Sequence, residues 1–185
     1  MRLLNLFEMM LFALWVSNVT AGNTTFHDIT PGDLPELNKL MRSSKKAASK
    51  RYTEEYMDQF MELLSFTPEV LKKSKAKKLL VEGELAGFYS FYVNKDGFLE
   101  LDNFFLAPQF LFKGYGKFLW EESLRTAREY GEQAHFIIWS SLEACTFYLK
   151  RGCIKIGEKP SPVDESLMQP LFTYSLIAVD DKSKN

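Results

Sequence analysis

Two stretches of this chain carry residue types whose spacing could do chemistry. The first is Lys113-Gly114-Tyr115-Gly116, set between a strand pattern and a helix pattern. Glycines at such a junction let the backbone come close to a ligand, and the free N–H groups of the helix's first turn then point at it. A fold can hold a phosphate this way without a metal. The second is Glu100 and Asp102, carboxylates at i and i+2 of a strand run and so on one face. Two carboxylates at that spacing can raise each other's pKa, which suits a general base near neutrality. Two exposed edge carboxylates are the equally good plain reading, and a bulge would change which of them faces a cleft.

Other phosphate loops fail residue by residue. A Walker A loop needs Ser or Thr after Gly-Lys, and Gly116-Lys117 is followed by Phe118. A dinucleotide fingerprint needs a third glycine where Leu119 stands, in a parallel unit at the start of the chain. No Gly-x-Ser-x-Gly elbow exists, so serine hydrolase chemistry has no support. The two histidines, His27 and His135, fall in separate strand patterns, so no metal site is expected. Cys145 and Cys153 cannot make a disulfide framework and read as buried or half-buried thiols.

The elements that must position these residues follow from periodicity. Thr24 to Ile29 alternates like a short strand, and Thr30-Pro31 starts a helix with Leu34, Leu37, Leu40 and Met41 on one face. Thr53 opens a second helix whose apolar side is Tyr56, Phe60 and Leu63-Leu64, and Thr67-Pro68 opens a short third. Lys78–Val81, Leu85–Val93 and Phe98–Leu106 read as an antiparallel meander with an Asp96-Gly97 turn. Gly114 to Tyr130 is the strongest helix, with Leu119, Trp120, Ser123, Leu124 and Ala127 inward and Lys117, Glu121, Arg125 and Arg128 outward. His135–Trp139 is a buried strand, parallel to the one before it because a helix intervenes. A short helix, Glu143–Lys150, and two strands, Ile154–Glu158 and Leu171–Ala178, follow, with a Pro160–Pro170 loop between the strands. The fold class is α/β with a mixed, mostly antiparallel sheet flanked by helices.

With 185 residues the chain makes one domain. Its net charge of -1 argues against general nucleic-acid binding, and the short Lys/Arg clusters read as solvated surface near loops. Residues 1–22 stand apart: Arg2, an apolar run marked by Asn5 and Glu8, then Val19-Thr20-Ala21. Three readings stay open: a secretory signal, an apolar tail packed on the domain or a membrane, or translated sequence upstream of the true start.

Leu111-Phe112-Lys113-Gly114-Tyr115-Gly116, following Leu106-Ala107-Pro108, resembles motif A of the GNAT superfamily of acyl-CoA-dependent N-acetyltransferases. Ala144-Cys145-Thr146-Phe147-Tyr148, with Gly152-Cys153 after a short spacer, is similar to the superfamily's motif B. Glu100-Leu101-Asp102-Asn103 and Ile156-Gly157-Glu158-Lys159-Pro160-Ser161 resemble the Glu-Leu-Glu-His and Ile-Gly-Glu-x-Pro-Ser segments of a bacterial subset. The resemblance runs from Thr24 to Val179, which delimits an N-acetyltransferase domain (24–179) followed by a polar tail (180–185). The chain departs from the pattern at Leu111, where the family has Gln or Arg, and at Phe112, Asn103 and Ser141.

The resemblance implies the acyl-CoA N-acyltransferase fold, with parallel strands splayed around acetyl-CoA and no metal. It implies transfer of acetyl to a primary amine of a small molecule or peptide by direct attack. By resemblance, main-chain groups of Leu111, Phe112, Lys113, Gly114, Tyr115, Gly116 and Lys117 hold the pyrophosphate. The pantetheine arm lies between Phe104, Phe105 and Leu106 on one strand and Phe136–Trp139 on the other, with Ser141 nearby. Tyr148 is the implied general acid, with an aromatic core pair as its plain reading; Glu100 and Asp102 are the candidate bases. Tyr52, Tyr56, Phe60 and Trp139 are expected to line the acceptor pocket, with contributions from Ser44-Lys45 and the Pro160–Pro170 loop. The departures keep a second reading open, a weakened CoA-binding or interaction module. The expected location is cytoplasmic, where acetyl-CoA is made, with a secreted or tethered form as the alternative; the expected assembly is a monomer or homodimer.

Overall fold

The computed structural model of this protein describes residues 23–131 and 135–177. The apolar segment 1–22 and the tail 180–185 lie outside them. The elements run β1 (Thr24–Asp28), α1 (Leu34–Ala48), α2 (Glu54–Leu64), α3 (Pro68–Lys73), β2 (Lys75–Val81), β3 (Glu84–Val93), β4 (Leu99–Leu106), α4 (Tyr115–Arg128), β5 (His135–Trp139), α5 (Cys145–Lys150), β6 (Ile154–Pro160) and β7 (Met168–Ser175). Among the described residues no helix is long and apolar enough to cross a membrane.

The strands form one seven-stranded sheet in the order β1-β2-β3-β4-β5-β7-β6. Every pairing is antiparallel except β4–β5, which is parallel. That parallel step is the one place where a helix, α4, must cross over between neighbouring strands. The expected meander is present as β2–β3–β4, and its tight turn closes through Asn94, whose N–H donates to the Phe98 carbonyl.

Ring contacts show which layer covers each face of the sheet. Phe88 and Phe105 are paired across β3 and β4, and Phe88 stacks on Phe66, which follows α2. Tyr89 and Phe104 are the next pair along, so strand alternation turns them to the opposite face. There Tyr89 shares a hydrogen bond with Thr126 Oγ1 (2.7 Å), and Phe104 packs on Trp120. Helices α1–α3 therefore cover one face and α4 the other. Each fully buried aromatic in these layers contributes about 1.5–3 kcal/mol relative to exposure.

Three sequence expectations change. Leu63 and Leu64, placed on the apolar side of α2, are exposed. The buried face is Tyr56, Met57 and Phe60, and the chain leaves the helix at Ser65 so that Phe66 takes the core position. Asn38 holds that exit from both sides, accepting from the Phe66 N–H and donating to its carbonyl. The lysines at 75–78 are not loop residues: β2 begins at Lys75, and Lys75, Lys77 and Lys78 pair with Glu129, Glu122 and Asp33. The loop between the last strands is shorter than 160–170, because Lys159 and Pro160 already pair with Gln169 and Met168.

Candidate active site

The glycine loop is built by turns rather than by side chains. After β4 a 3-10 turn, Pro108–Phe110, ends with the Leu111 N–H donating to the Pro108 carbonyl. Phe112 then takes φ 59 and Gly114 φ 87, both left-handed. Glycine suits such a φ; a phenylalanine held there is strained, and strain of this kind persists where the surroundings enforce it, often at ligand sites. Gly114 caps α4, and the Phe110 and Tyr115 rings meet edge to face across the turn. The N–H groups of Phe112, Lys113 and Gly114 have no acceptor among the described residues. The Tyr115 and Gly116 N–H groups at the start of α4 lie beside them, unsatisfied by the helix, whereas the Lys117 N–H, also expected to hold the pyrophosphate, is turned back onto the Gly114 carbonyl at 2.9 Å. An anion-sized group bearing phosphate fits this cradle by main chain alone. Leu111 costs the cradle little, because its side chain turns inward against the core.

The two strands on either side of the site diverge. β4 and β5 pair only at Leu99–Phe136 and Glu100–Ile137, at their N-terminal ends. Beyond Glu100 the edge of β4 facing β5 has no ladder, while its other edge stays paired to β3 through Leu106. The Ala107 N–H donates to Ala86 on the β3 side at 2.8 Å. Alternation then directs the Leu106 N–H into the gap, where it can polarise a carbonyl.

Motif B supplies the wall next to that gap. Tyr148 is buried, and its ring meets Phe104, Trp120, Phe147 and Phe172. Its hydroxyl has no hydrogen-bond partner among the described residues. Burial, and then the nearby Cys153 and Cys145, push it above the usual tyrosine range, so the phenol stays protonated and able to donate. A Cβ on Gly116 would lie 3.2 Å from Phe147 Cε2, which measures how closely α5 approaches the loop.

The paired carboxylates meet through a bulge. The register of β4 against β3 slips between Ser90–Asn103 and Phe91–Leu101, leaving Asp102 as the extra residue. Simple i, i+2 alternation therefore does not apply. Asp102 joins Asn103, whose Nδ2 donates to Asp102 Oδ2 and to Ser90 Oγ, each at 2.8 Å. Glu100 is buried and accepts from Asn94 Nδ2. Asp102 keeps one side open to water. Crowding by protein and, less, the charge of Glu100 lift its carboxyl to about 6.

A second set of expected residues lines a cleft on the α1–α2 side: Lys45, Tyr52, Tyr56 and Ser141, with Ser161 and Gln169. Tyr52 Oη donates to Glu143 Oε2 at 2.6 Å, and Arg51 Nε lies 3.3 Å from Glu143 Oε1. Phe60 lies behind this wall, and Lys45 Nζ sits 4.6 Å from the Tyr52 ring centre and 5.1 Å from that of Phe60. Trp139 is covered instead by Lys159, whose Nζ is 3.8 Å from its ring centre. Ser141 stands in this cleft, apart from the glycine loop.

Arg151 was not singled out from sequence. It follows α5, its guanidinium lies 5.9 Å from the Phe147 ring centre, and its Nε is buried without a partner. Its signal was faint: an arginine before the motif B glycine reads as an ordinary C-terminal helix charge. Among the described residues no cluster of His, Cys, Asp or Glu could hold a metal ion.

The family model described as Acetyltransferase (GNAT) family matches residues 37–153, spanning both motifs and the splayed strands. The chain belongs to the GNAT acetyltransferase family. By family it is an acyltransferase. No curated protein matches this GNAT chain. Among solved structures it is similar to a GCN5-related N-acetyltransferase from Rhodopseudomonas palustris, with 17% identity, TM-score 0.69, and 82% of this chain and 94% of the other covered. It is also similar to the PaiA N-acetyltransferase of Thermoplasma acidophilum in complex with coenzyme A, with 17% identity, TM-score 0.66, and coverage of 82% and 98%. A third is the ribosomal-protein-S18-alanine N-acetyltransferase of Escherichia coli, with 15% identity, TM-score 0.58, and coverage of 88% and 99%. At these identities the likeness carries the fold.

Proposed function

We propose that this protein is an N-acetyltransferase that moves an acetyl group from acetyl-CoA to a primary amine by direct attack. The observation that carries the reading is the juxtaposition of a cradle of unpaired main-chain N–H groups at the start of α4 with the gap between β4 and β5. The crystallised relatives bound to coenzyme A or acetyl-CoA share this fold and support the same choice of donor. Acetyl-CoA supplies the activated acyl thioester.

The protein's own groups then divide the work. N–H groups from Phe112 to Gly116 bind the pyrophosphate, with Lys113 and the unpaired Arg151 adding positive charge. The Leu106 N–H stabilises the oxygen on which charge develops. Asp102, at about 6, takes the proton from the attacking amine, and Glu100 beside it keeps that carboxyl basic. The new bond joins amine nitrogen to acetyl carbon, the carbon–sulfur bond breaks, and Tyr148 gives its proton to the departing sulfur.

Isothermal titration with acetyl-CoA, followed by an amine panel read by thiol release, tests the proposal. Saturable binding with turnover of at least one amine is expected. No binding at millimolar acetyl-CoA would sink it. Binding without turnover across a broad panel would favour a CoA-binding module, the reading that Leu111 and Ser141 motivate.

A further inference from the structure

Phe110, Phe112, Tyr115 and Phe118 lie along the turn into α4, and one of these rings is left over. Phe110 is buried, Tyr115 meets it edge to face with ring centres 5.4 Å apart, and Phe118 lies 6.4 Å from Tyr115. Phe112 is fully exposed, at 104%, and makes no ring contact among the described residues. Its backbone is left-handed, at φ 59, where a phenylalanine is strained and a glycine would not be. A ring that touches nothing in the fold adds nothing to the core. Its whole apolar face stays available for burial against a ligand.

Covalent connection decides which part of the ligand can reach it. The Phe112 N–H is one of the unpaired donors of the cradle. Its ring therefore stands within a side chain's length of whatever phosphate that N–H holds. In acetyl-CoA two groups leave the pyrophosphate. The pantetheine arm enters the gap between β4 and β5, beside the packed rings of Phe104, Trp120, Phe147 and Tyr148. Phe112 touches none of these rings, so it does not line that gap. The other group is ribose with adenine, one sugar away from the phosphate and leaving the loop toward solvent, where the Phe112 ring stands. Every base has a flat π-face, and such faces stack on exposed aromatic rings. A phosphate would gain nothing from an uncharged ring.

We infer that Phe112 is the ring on which the adenine of acetyl-CoA stacks. This rests on the acetyl-CoA reading above and adds a side chain to a cradle that otherwise works by main chain. Within one residue the N–H serves the phosphate and the ring serves the base. Phe112 then sets how strongly the protein prefers a donor that carries the nucleotide.

Titration calorimetry with acetyl-CoA on the full chain tests this in the unaltered protein, Phe112→Ala, Phe112→Gly and Phe112→Trp. Alanine and glycine should each raise the Kd by about tenfold, and tryptophan should keep it or lower it. Glycine separates ring from backbone, because it relaxes the strained turn while removing the same side chain. Full affinity in either Phe112→Ala or Phe112→Gly overturns the inference, and so does a loss in Phe112→Trp equal to that in Phe112→Ala. A second readout locates the contact. Ethenoadenine coenzyme A carries a fluorescent base whose emission a stacked indole quenches. Its emission should be lower when bound to Phe112→Trp than when bound to Phe112→Ala. Equal emission would put the ring against another part of the ligand and overturn the inference. If the unaltered protein binds acetyl-CoA and the variants match it, this inference falls alone. If the unaltered protein does not bind acetyl-CoA, the acetyltransferase reading falls with it.

Discussion

At the residue scale, what distinguishes the candidate groups is environment rather than type. Tyr148, buried, and Asp102, open to water on one side but crowded by protein and by the charge of Glu100, are both shifted upward, with opposite consequences for chemistry. A phenol held above its usual range keeps its proton at every working pH and can only donate. A carboxyl near 6 is mostly ionised at neutrality yet basic enough to accept. Activity should therefore fall as pH drops through about 6, because Asp102 must be deprotonated to act. Asp102→Asn should lower kcat/KM by about 100-fold or more and remove that acid limb from a pH–rate profile. A limb that persists in the variant would move the role to Glu100. Tyr148→Phe should reduce kcat by about 100-fold with acetyl-CoA affinity kept, measured by titration calorimetry beside steady-state kinetics. An unchanged rate would leave Tyr148 as a core residue, which its four ring neighbours already make it.

At the scale of elements, the site depends on three departures from regular structure: the left-handed loop, the bulge and the splay. The loop is the most exposed to substitution. Gly114 sits at φ 87, where a β-branched residue is strained before any ligand is considered. Gly114→Val should cost about 1–2 kcal/mol of stability and raise the acetyl-CoA Kd by more than tenfold, read by thermal melting and calorimetry. Intact affinity would show that the cradle lies elsewhere. The bulge at Asp102 explains why the carboxylate pair was legible only in part. The residues could be named from Glu100-Leu101-Asp102, but pleat alternation cannot tell that one of them is the extra residue. Ser141, placed near the donor by the family resemblance, also lies in the cleft with Tyr52, which no short window shows.

For the whole molecule, Trp120 is the hub that ties the splayed strands together. From α4 it meets Phe104 of β4, Phe136 of β5, Tyr174 of β7, and Phe147 and Tyr148 of α5. It is 3% exposed, and no ladder joins β4 to β5 beyond Glu100. Trp120→Ala should destabilise by about 3–5 kcal/mol, a fall in Tm of roughly 10 °C or more, and weaken acetyl-CoA binding at temperatures where the fold persists. A melt within 2–3 °C of the parent would mean that the gap is held open by other contacts.

The sequence by itself determined the class of the protein. Local signals did this: the period-two meander, the three-four period of α4, the glycines of the loop and the Phe147-Tyr148 pair lie within short windows and are set by backbone preference and side-chain patterning. What depended on residues far apart was decided by tertiary structure alone. No window reveals that Phe66 displaces Leu63 and Leu64 from the core, that Asp102 is a bulge, that Arg151 lies against the Phe147 ring, or that Lys45 ends unpaired over Tyr52 and Phe60. These depend on which segments meet across the sheet and on how much water remains between them. Burial of that kind sets pKa values and unsatisfied donors, and so chooses which of the chemically capable residues can act.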